Sequence, residues 1–432
     1  MRILVLGGYG LIGAEICRTF LKAGHEVAGL ARTPNLAARL LPQIDWHHGD
    51  MRQMLKKEDW EHLVSDVDIV VNAAGALQDG LIDDLEAVHH LAIKACLIAC
   101  EESGVARFVQ ISATGASREA ATPFMRTKAA GDDAVMAASM DWVILRPGLV
   151  LAPTAYGGTA LLRLLAAVPY IQPLIMADRK MQTVHVNEVT EATLMASEGR
   201  IPSGADIDLV EEESQSLATL VAGMRSWLGF EPAKMQINLP RWLGNVISKG
   251  ADLFGFMGWR SPLRSNALQV LEGHVTGDPG LWQSISGRHC RSFQETLASM
   301  PSTTQERWFS KLALMLPALV GVLSLFWIMT GVIALAQMQA AADVLADSGT
   351  SALQAQFLAA TGAILDIGLG MAILIRPWAR RACLGMVLLT LVYLASATIL
   401  VPDLWFDPLG SLLKAVPALM LALITRSLLT ER

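Results

Sequence analysis

Gly7, Gly10 and Gly13 stand three residues apart, directly after the apolar run Ile3–Leu6 and directly before Leu11–Lys22, which has helical periodicity. That spacing suits a diphosphate. One glycine permits the tight turn, the next lets the backbone approach the ligand, and the third lets helix and strand pack closely. The anion would rest at the helix N-terminus, against Leu11 and Ile12, where unpaired N–H groups and the helix dipole favour negative charge. Gly24-His25-Glu26 closes the helix, Val27–Leu30 reads as a second strand, and Arg32-Thr33 follows. An acidic residue at that strand end would hold the ribose 2′-hydroxyl of NAD, and none is present. Arg32 is placed to meet a 2′-phosphate instead, so the sequence points to NADP(H); the alternative is a solvated loop arginine.

A second chemical feature lies far downstream. Asp366 interrupts an otherwise uncharged apolar stretch, with Gly362 and Gly370 four residues to either side on the same helical face. Lys414 is the base inside a later apolar stretch, so it could reach Asp366 or snorkel to the outer interface instead, and Asp366 is expected either in a buried pair or hydrogen bond that fixes helix register or as a site for a polar lipid or quinone head group. The five cysteines (17, 96, 100, 290 and 383) fit neither a disulfide framework nor a metal-binding pair, which points to a reducing compartment and to no metal.

The elements that must position these residues divide the chain in two. Charged residues are 17% of the whole, against about 25% in ordinary soluble domains, and the deficit is local. Leu312–Leu429 holds only ten charges, while residues 1–311 hold 62. A soluble part is therefore followed by a membrane part, with apolar spans expected at about 312–336, 357–375, 382–401 and 408–426. Four spans put both ends on one side. Arg307, Lys311, Arg376, Arg380, Arg381, Arg426 and Arg432 flank that side, and the opposite connections lack Lys and Arg, so the soluble part is expected in the cytoplasm. The net charge of −6 and the lack of a long basic run exclude a nucleic-acid partner. The opening residues are too briefly apolar for a secretory signal and fit a buried parallel strand.

Further strand–turn units recur along the first 150 residues. Gly49-Asp50-Met51 follows Ile44–His47, Ala73-Ala74-Gly75 follows Ile69–Asn72, and Ser112-Ala113-Thr114 follows Phe108–Ile111. With Gly7-Gly8-Tyr9-Gly10-Leu11-Ile12-Gly13 and Arg146-Pro147-Gly148, this set resembles the short-chain dehydrogenase/reductase superfamily in its extended or atypical branch, over about 300 residues. The resemblance implies a doubly wound α/β parallel sheet that binds a nicotinamide dinucleotide. Asp50 would contact adenine, with Met51 in the same turn; Ala73, Ala74 and Gly75 form the turn after the fourth strand, and Pro147 flanks the nicotinamide. It also implies a catalytic Tyr with a Lys four residues later and a supporting Ser. Ser112 and Lys128 match the Ser and the Lys, but Phe124 stands where the Tyr belongs, and no Tyr occurs between residues 10 and 155. A substitute proton donor is then required, from Ser112, Thr114, Lys128 or a bound water, or there is no catalysis and the fold only binds nucleotide. Lys128 would in either case bond the nicotinamide ribose.

The membrane part, through Gly362-Ala-Ile-Leu-Asp366-Ile-Gly-Leu-Gly370 and the Pro402–Lys414 segment, resembles the DoxX-like four-helix membrane proteins of bacteria, some of whose relatives are associated with quinone-linked oxidation. The fused arrangement resembles bacterial short-chain reductases with such a tail.

Three parts are expected: a nucleotide-binding core at 1–150, a small substrate lobe at 151–305 and an all-α four-helix membrane bundle at 306–432. In the lobe, Ser216–Leu228 and Arg241–Phe256 read as helices. The second, followed by Met257-Gly258-Trp259-Arg260, is open to two readings, an interfacial helix or a lobe core helix. The implied function is a bacterial inner-membrane NADP(H)-dependent oxidoreductase acting on a lipophilic carbonyl, enone or quinone-like substrate. The alternative is a non-catalytic nucleotide-binding sensor or scaffold of a membrane assembly. A sugar-nucleotide epimerase would depend on the missing Tyr. Substrate, protein partners and oligomeric state are not encoded in any motif.

Overall fold

The computed structural model describes residues 1–76, 79, 84–155, 157–259, 275–346, 350–408 and 410–429. Arg260 and Arg432, named in the sequence, lie outside that set. By its contacts the chain forms two units, Met1–Asp252 with Pro262–Arg307, and Leu253–Ser261 with Trp308–Arg432.

The first unit is built on seven strands: β1 (Arg2–Leu6), β2 (Glu26–Ala31), β3 (Asp45–His48), β4 (Ile69–Asn72), β5 (Arg107–Ile111), β6 (Asp141–Pro147) and β7 (Ala205–Leu209). They lie in the order β7-β6-β5-β4-β1-β2-β3, and each neighbouring pair is parallel. In β1, Ile3 and Val5 enter one core cluster while Leu4 and Leu6 enter the other, and all four are fully buried. Burial on both faces is why the strand is continuously apolar rather than alternating. The strand order reverses between β1 and β4, in register Leu6 with Asn72. A doubly wound sheet opens a ligand crevice at the carboxyl ends of the strands where its order reverses.

Three helices matter most for that crevice. We label them α1 (Leu11–Lys22), α2 (Ala92–Ser103) and α3 (Pro123–Met136). Thr122 caps α3, its hydroxyl accepting from Met125 N–H at 3.2 Å, and Pro123 stands at the first helical position. A smaller lobe follows, with two short parallel ladders, Leu149–Leu151 with Thr183–His185 and Ile171–Leu174 with Met235–Asn238. Its own core contains Leu162, Leu220, Met224 and Phe293. Leu217–Trp227 forms the expected helix, with Ser216 outside it as the cap. The helix Arg241–Phe256 (α4) is described below.

Four helices are long and apolar enough to cross a membrane, α5 (Thr304–Ala336), α6 (Ala352–Ala372), α7 (Arg376–Leu400) and α8 (Ser411–Leu428), and from Trp308 onward they lie in the second unit. The first carries its basic flank, Arg307 and Lys311, inside the same helix rather than before it. The connection after it contains a further helix, Met338–Ala346. Small residues set the packing. A Cβ on Gly370 would lie 2.9 Å from Ile328 N, one on Gly331 2.5 Å from Ala363 O, and one on Gly362 2.9 Å from the Tyr393 hydroxyl. Glycine therefore lets α6 close on α5 and α7.

Candidate functional site

Gly7 leaves β1 with φ +71°, a conformation that favours glycine, and a Cβ there would lie 2.7 Å from Ala74 Cα. The turns after β1 and β4 thus touch. Gly10 bonds its N–H to Gly7 O at 2.9 Å and caps α1 without a side chain, leaving the first-turn N–H groups facing outward. A Cβ on Gly13 would lie 2.2 Å from Gly7 O, so the third glycine permits the close approach of helix to turn. The cradle that a diphosphate requires is therefore present in the backbone, with Leu11 and Ile12 in the first turn of the helix.

The rim of this cradle carries the other expected residues. Ala73 N–H bonds Leu6 O at 3.0 Å and Ala74 N–H bonds Asn72 Oδ1 at 3.0 Å, which locks the turn leading to Gly75. Arg32 follows β2 and is exposed, close enough for its charge to act on Asp50. Asp50 accepts from Arg52 N–H at 3.1 Å and Arg52 Nε at 3.0 Å, and these bonds hold its carboxyl below the ordinary range. The sequence reading overlooked Arg52. Met51 beside it is buried.

At the base of the crevice lies a buried polar group centred on α3. Lys128 Nζ donates to Ile111 O at 2.9 Å and to Ala74 O at 3.5 Å, joining the ends of β4 and β5. Burial lowers its pKa to about 8, and Asp132 opposes the shift. Ser112 Oγ donates to Asp132 Oδ2 at 2.5 Å. Gln110 Nε2 donates to Asp132 Oδ1 at 3.3 Å and is itself held by Asn72 Nδ2 at 2.8 Å. Arg146 Nη1 stands 2.8 Å from Asp132 Oδ2 but off the N–H direction, so this is an ion contact and not a directed hydrogen bond. Asp206 takes two further Arg146 bonds, at 2.6 and 3.0 Å. Burial raises the Asp132 pKa, against the pull of Arg146 and Ser112.

Two residues here were not singled out in the sequence. Asp132 lies one turn beyond Lys128, and the spacing Phe124, Lys128, Asp132 marks one helical face. His89 is buried; its Nε2 accepts from Ala76 N–H at 3.1 Å, so its Nδ1 carries the proton toward Thr127 Oγ1 at 2.9 Å. Burial, then the Lys128 charge, push its pKa well below the usual value, keeping it neutral. Phe124 packs edge-on against that imidazole, centroids 5.5 Å apart. Thr114, expected as a proton donor, spends its hydroxyl on Arg146 O at 2.8 Å, while its N–H bonds Pro147 O at 3.1 Å.

In the second unit, Tyr393 donates to Asp366 Oδ1 at 2.9 Å and Thr330 to Oδ2 at 3.4 Å. Lys414 is exposed and is not among the partners of Asp366 in the described residues, so of the two readings of Lys414 the pair with Asp366 is not formed. A phenol and a threonine hydroxyl on neighbouring helices satisfy the carboxylate instead.

The parallel sheet, its reversal point and the glycine turn together define a dinucleotide-binding Rossmann domain. Residues 7–162 match the NAD(P)H-binding family, and residues 324–423 match the DoxX-like family. The chain thus joins an NAD(P)H-binding Rossmann domain to a DoxX-like domain with four apolar helices. Among curated relatives, a mitochondrial NADH dehydrogenase [ubiquinone] 1 alpha subcomplex subunit 9 of Arabidopsis thaliana is 27% identical over 155 residues, 34% of this chain and 38% of the relative. A 2-alkyl-3-oxoalkanoate reductase of Stenotrophomonas maltophilia is 26% identical over 48% of this chain and 68% of its own length. A ceramide reductase of Caulobacter vibrioides is 20% identical over 58% and 76%. The chain therefore spans well under half of the first of these relatives. In fold, the Bordetella bronchiseptica enzyme WbmH in complex with NAD+ superposes with a TM-score of 0.53 at 17% identity, covering 69% of this chain and 96% of that one.

Proposed function

We propose that this chain is a membrane-anchored NADP(H)-dependent reductase of a lipophilic carbonyl, enone or quinone-like substrate. The observation that carries the reading is Lys128, a buried ammonium whose pKa of about 8 lies beside the glycine cradle. When bound, the dinucleotide supplies hydride; the protein must supply the proton. Phe124 has none to give, Thr114 has committed its own to Arg146 O, and Ser112 directs its own at Asp132. Lys128 has three N–H groups and two carbonyl partners, so one proton is left for a substrate oxygen, and an acid of this strength suits transfer near neutral pH. Asp132 stabilises the ammonium, and Ser112 and Gln110 fix Asp132. Arg32 reads the 2′-phosphate and so selects NADP(H). The reductase names of two relatives and the apolar helices support a hydrophobic substrate reached from a membrane, with the Rossmann domain on the cytoplasmic face of a bacterial inner membrane.

The test is Lys128→Met, which keeps the bulk and removes the proton. Single-turnover oxidation of bound NADPH should slow by about 10²–10⁴-fold, the worth of a general acid. An unchanged rate constant at saturating NADPH would assign the proton elsewhere. The second reading, a non-catalytic nucleotide sensor within a membrane assembly, is favoured by Phe124 and by the likeness to a dehydrogenase complex subunit. It requires tight NADPH binding without turnover of any acceptor.

A further inference from the structure

The helix α4 has three chemically different sides. At 100° per residue, Trp242, Leu243, Val246, Ile247, Leu253 and Phe254 fall within an arc of about 140°. Gly244, Ala251, Ser248 and Gly255 fill the next arc, and Arg241, Asp252, Asn245 and Lys249 occupy most of the third. The structure buries the wrong side for a core helix. Gly244 and Ser248 are the buried residues of the helix, whereas Trp242 is 65% exposed, Leu253 59% and Phe254 45%. Small residues face protein while large apolar ones face outward.

What covers the apolar arc is indicated by where the helix ends. Met257 O accepts Arg376 N–H at 2.9 Å, and Trp259 Nε1 donates to Leu374 O at 2.6 Å. The Arg376 guanidinium lies 5.6 Å over the Trp259 ring, and Gly258, with φ +87°, brings the backbone against Pro377. The receiving segment, Leu374–Pro377, joins the short connection between α6 and α7 to the first residues of α7. Directly after it, Trp378 is 56% exposed and Arg380 and Arg381 are exposed. An exposed tryptophan with arginines at the end of an apolar span marks the level of the lipid head groups. The last turn after α4 is therefore fixed at that level.

We propose that α4 lies in the head-group layer of the bilayer spanned by α5–α8, with Trp242, Val246, Ile247, Leu253 and Phe254 among the upper acyl carbons and Arg241 and Lys249 toward anionic phosphates. A helix carrying an apolar arc along its whole length can immerse that arc only by lying flat, at about 5–10 Å depth. The proposal rests on the four apolar helices being inserted and not on the catalytic reading.

The experiment places an environment-sensitive NBD label on Val246→Cys, Ile247→Cys or Leu253→Cys in the full chain, with Asn245→Cys on the polar arc as reference. The five native cysteines are buried, which favours labelling at the introduced site. Each protein is reconstituted into phosphatidylcholine/phosphatidylglycerol vesicles containing lipids with a nitroxide either high or low on the chain. The three arc positions should give blue-shifted emission and stronger quenching by the shallow nitroxide than by the deep one, with quenching at least about twofold above that at position 245. Water-like, unquenched emission at all three would overturn the proposal. So would blue-shifted but unquenched emission, because that result means that protein, such as a second copy, covers the arc. Three independent positions guard against one variant failing to fold.

Discussion

At the scale of single residues, the site turns on how hydroxyls and charges are already committed. Ser112 donates its proton to Asp132, so in the proposed reaction the serine serves as a positioning residue and Lys128 supplies the proton. The sign of the pH dependence follows. Lys128 is an acid only while protonated, so the single-turnover rate should be flat below its pKa and fall as pH rises through about 8. A rate that rises across that interval would require a base instead. Phe124→Tyr adds a hydroxyl four residues before Lys128, and it should change this profile while leaving NADPH affinity nearly unchanged. Lost nucleotide binding would mean that the ring at this position supports the cradle rather than the substrate. Arg32→Ala should weaken NADPH far more than NADH, by roughly 10–150-fold for one lost charge-assisted phosphate bond of about 1.5–3 kcal/mol. Equal calorimetric losses for both nucleotides would make Arg32 a surface arginine.

At the scale of elements, glycines decide how closely helices and turns approach. Gly13→Ala would put a methyl 2.2 Å from Gly7 O, so α1 must move away from the turn. A destabilisation of about 1–3 kcal/mol, read from thermal melting, and a much weaker nucleotide complex are expected. Melting unchanged from wild type would show that the turn yields freely. The glycine spacing, the parallel strands and the apolar spans were legible in the sequence because each is a local pattern with one common physical cause. The partners of Asp366 were not. Reasoning by charge selected Lys414, whereas the folded bundle brings Tyr393 across from α7 and Thr330 from α5, and hydroxyls carry no charge or periodicity that would single them out. Tyr393→Phe should therefore cost about 0.6–1.7 kcal/mol of bundle stability in detergent, while Lys414→Ala costs little. Equal losses would restore the pairing that the structure lacks. Asp132 was similarly hidden: a carboxylate four residues after a lysine reads as a solvated helix pair until the fold buries both.

At the scale of the whole molecule, an NAD(P)H-binding Rossmann domain and a DoxX-like bundle share one chain. Reductant in the proposal comes from the soluble side, and a substrate too apolar to diffuse through water is met at the bilayer. The four apolar helices were readable from composition, but the chemistry was not, since Phe124 removes the residue by which the reaction would have been recognised. The most direct measurement is anaerobic stopped-flow absorbance of NADPH with the full chain in phospholipid vesicles, mixed with a panel of lipophilic ketones, enones and quinones. Acceptor-dependent oxidation of NADPH is expected with at least one of these, abolished in Lys128→Met and far slower with NADH. Tight, saturable NADPH binding with no oxidation by any acceptor would contradict it.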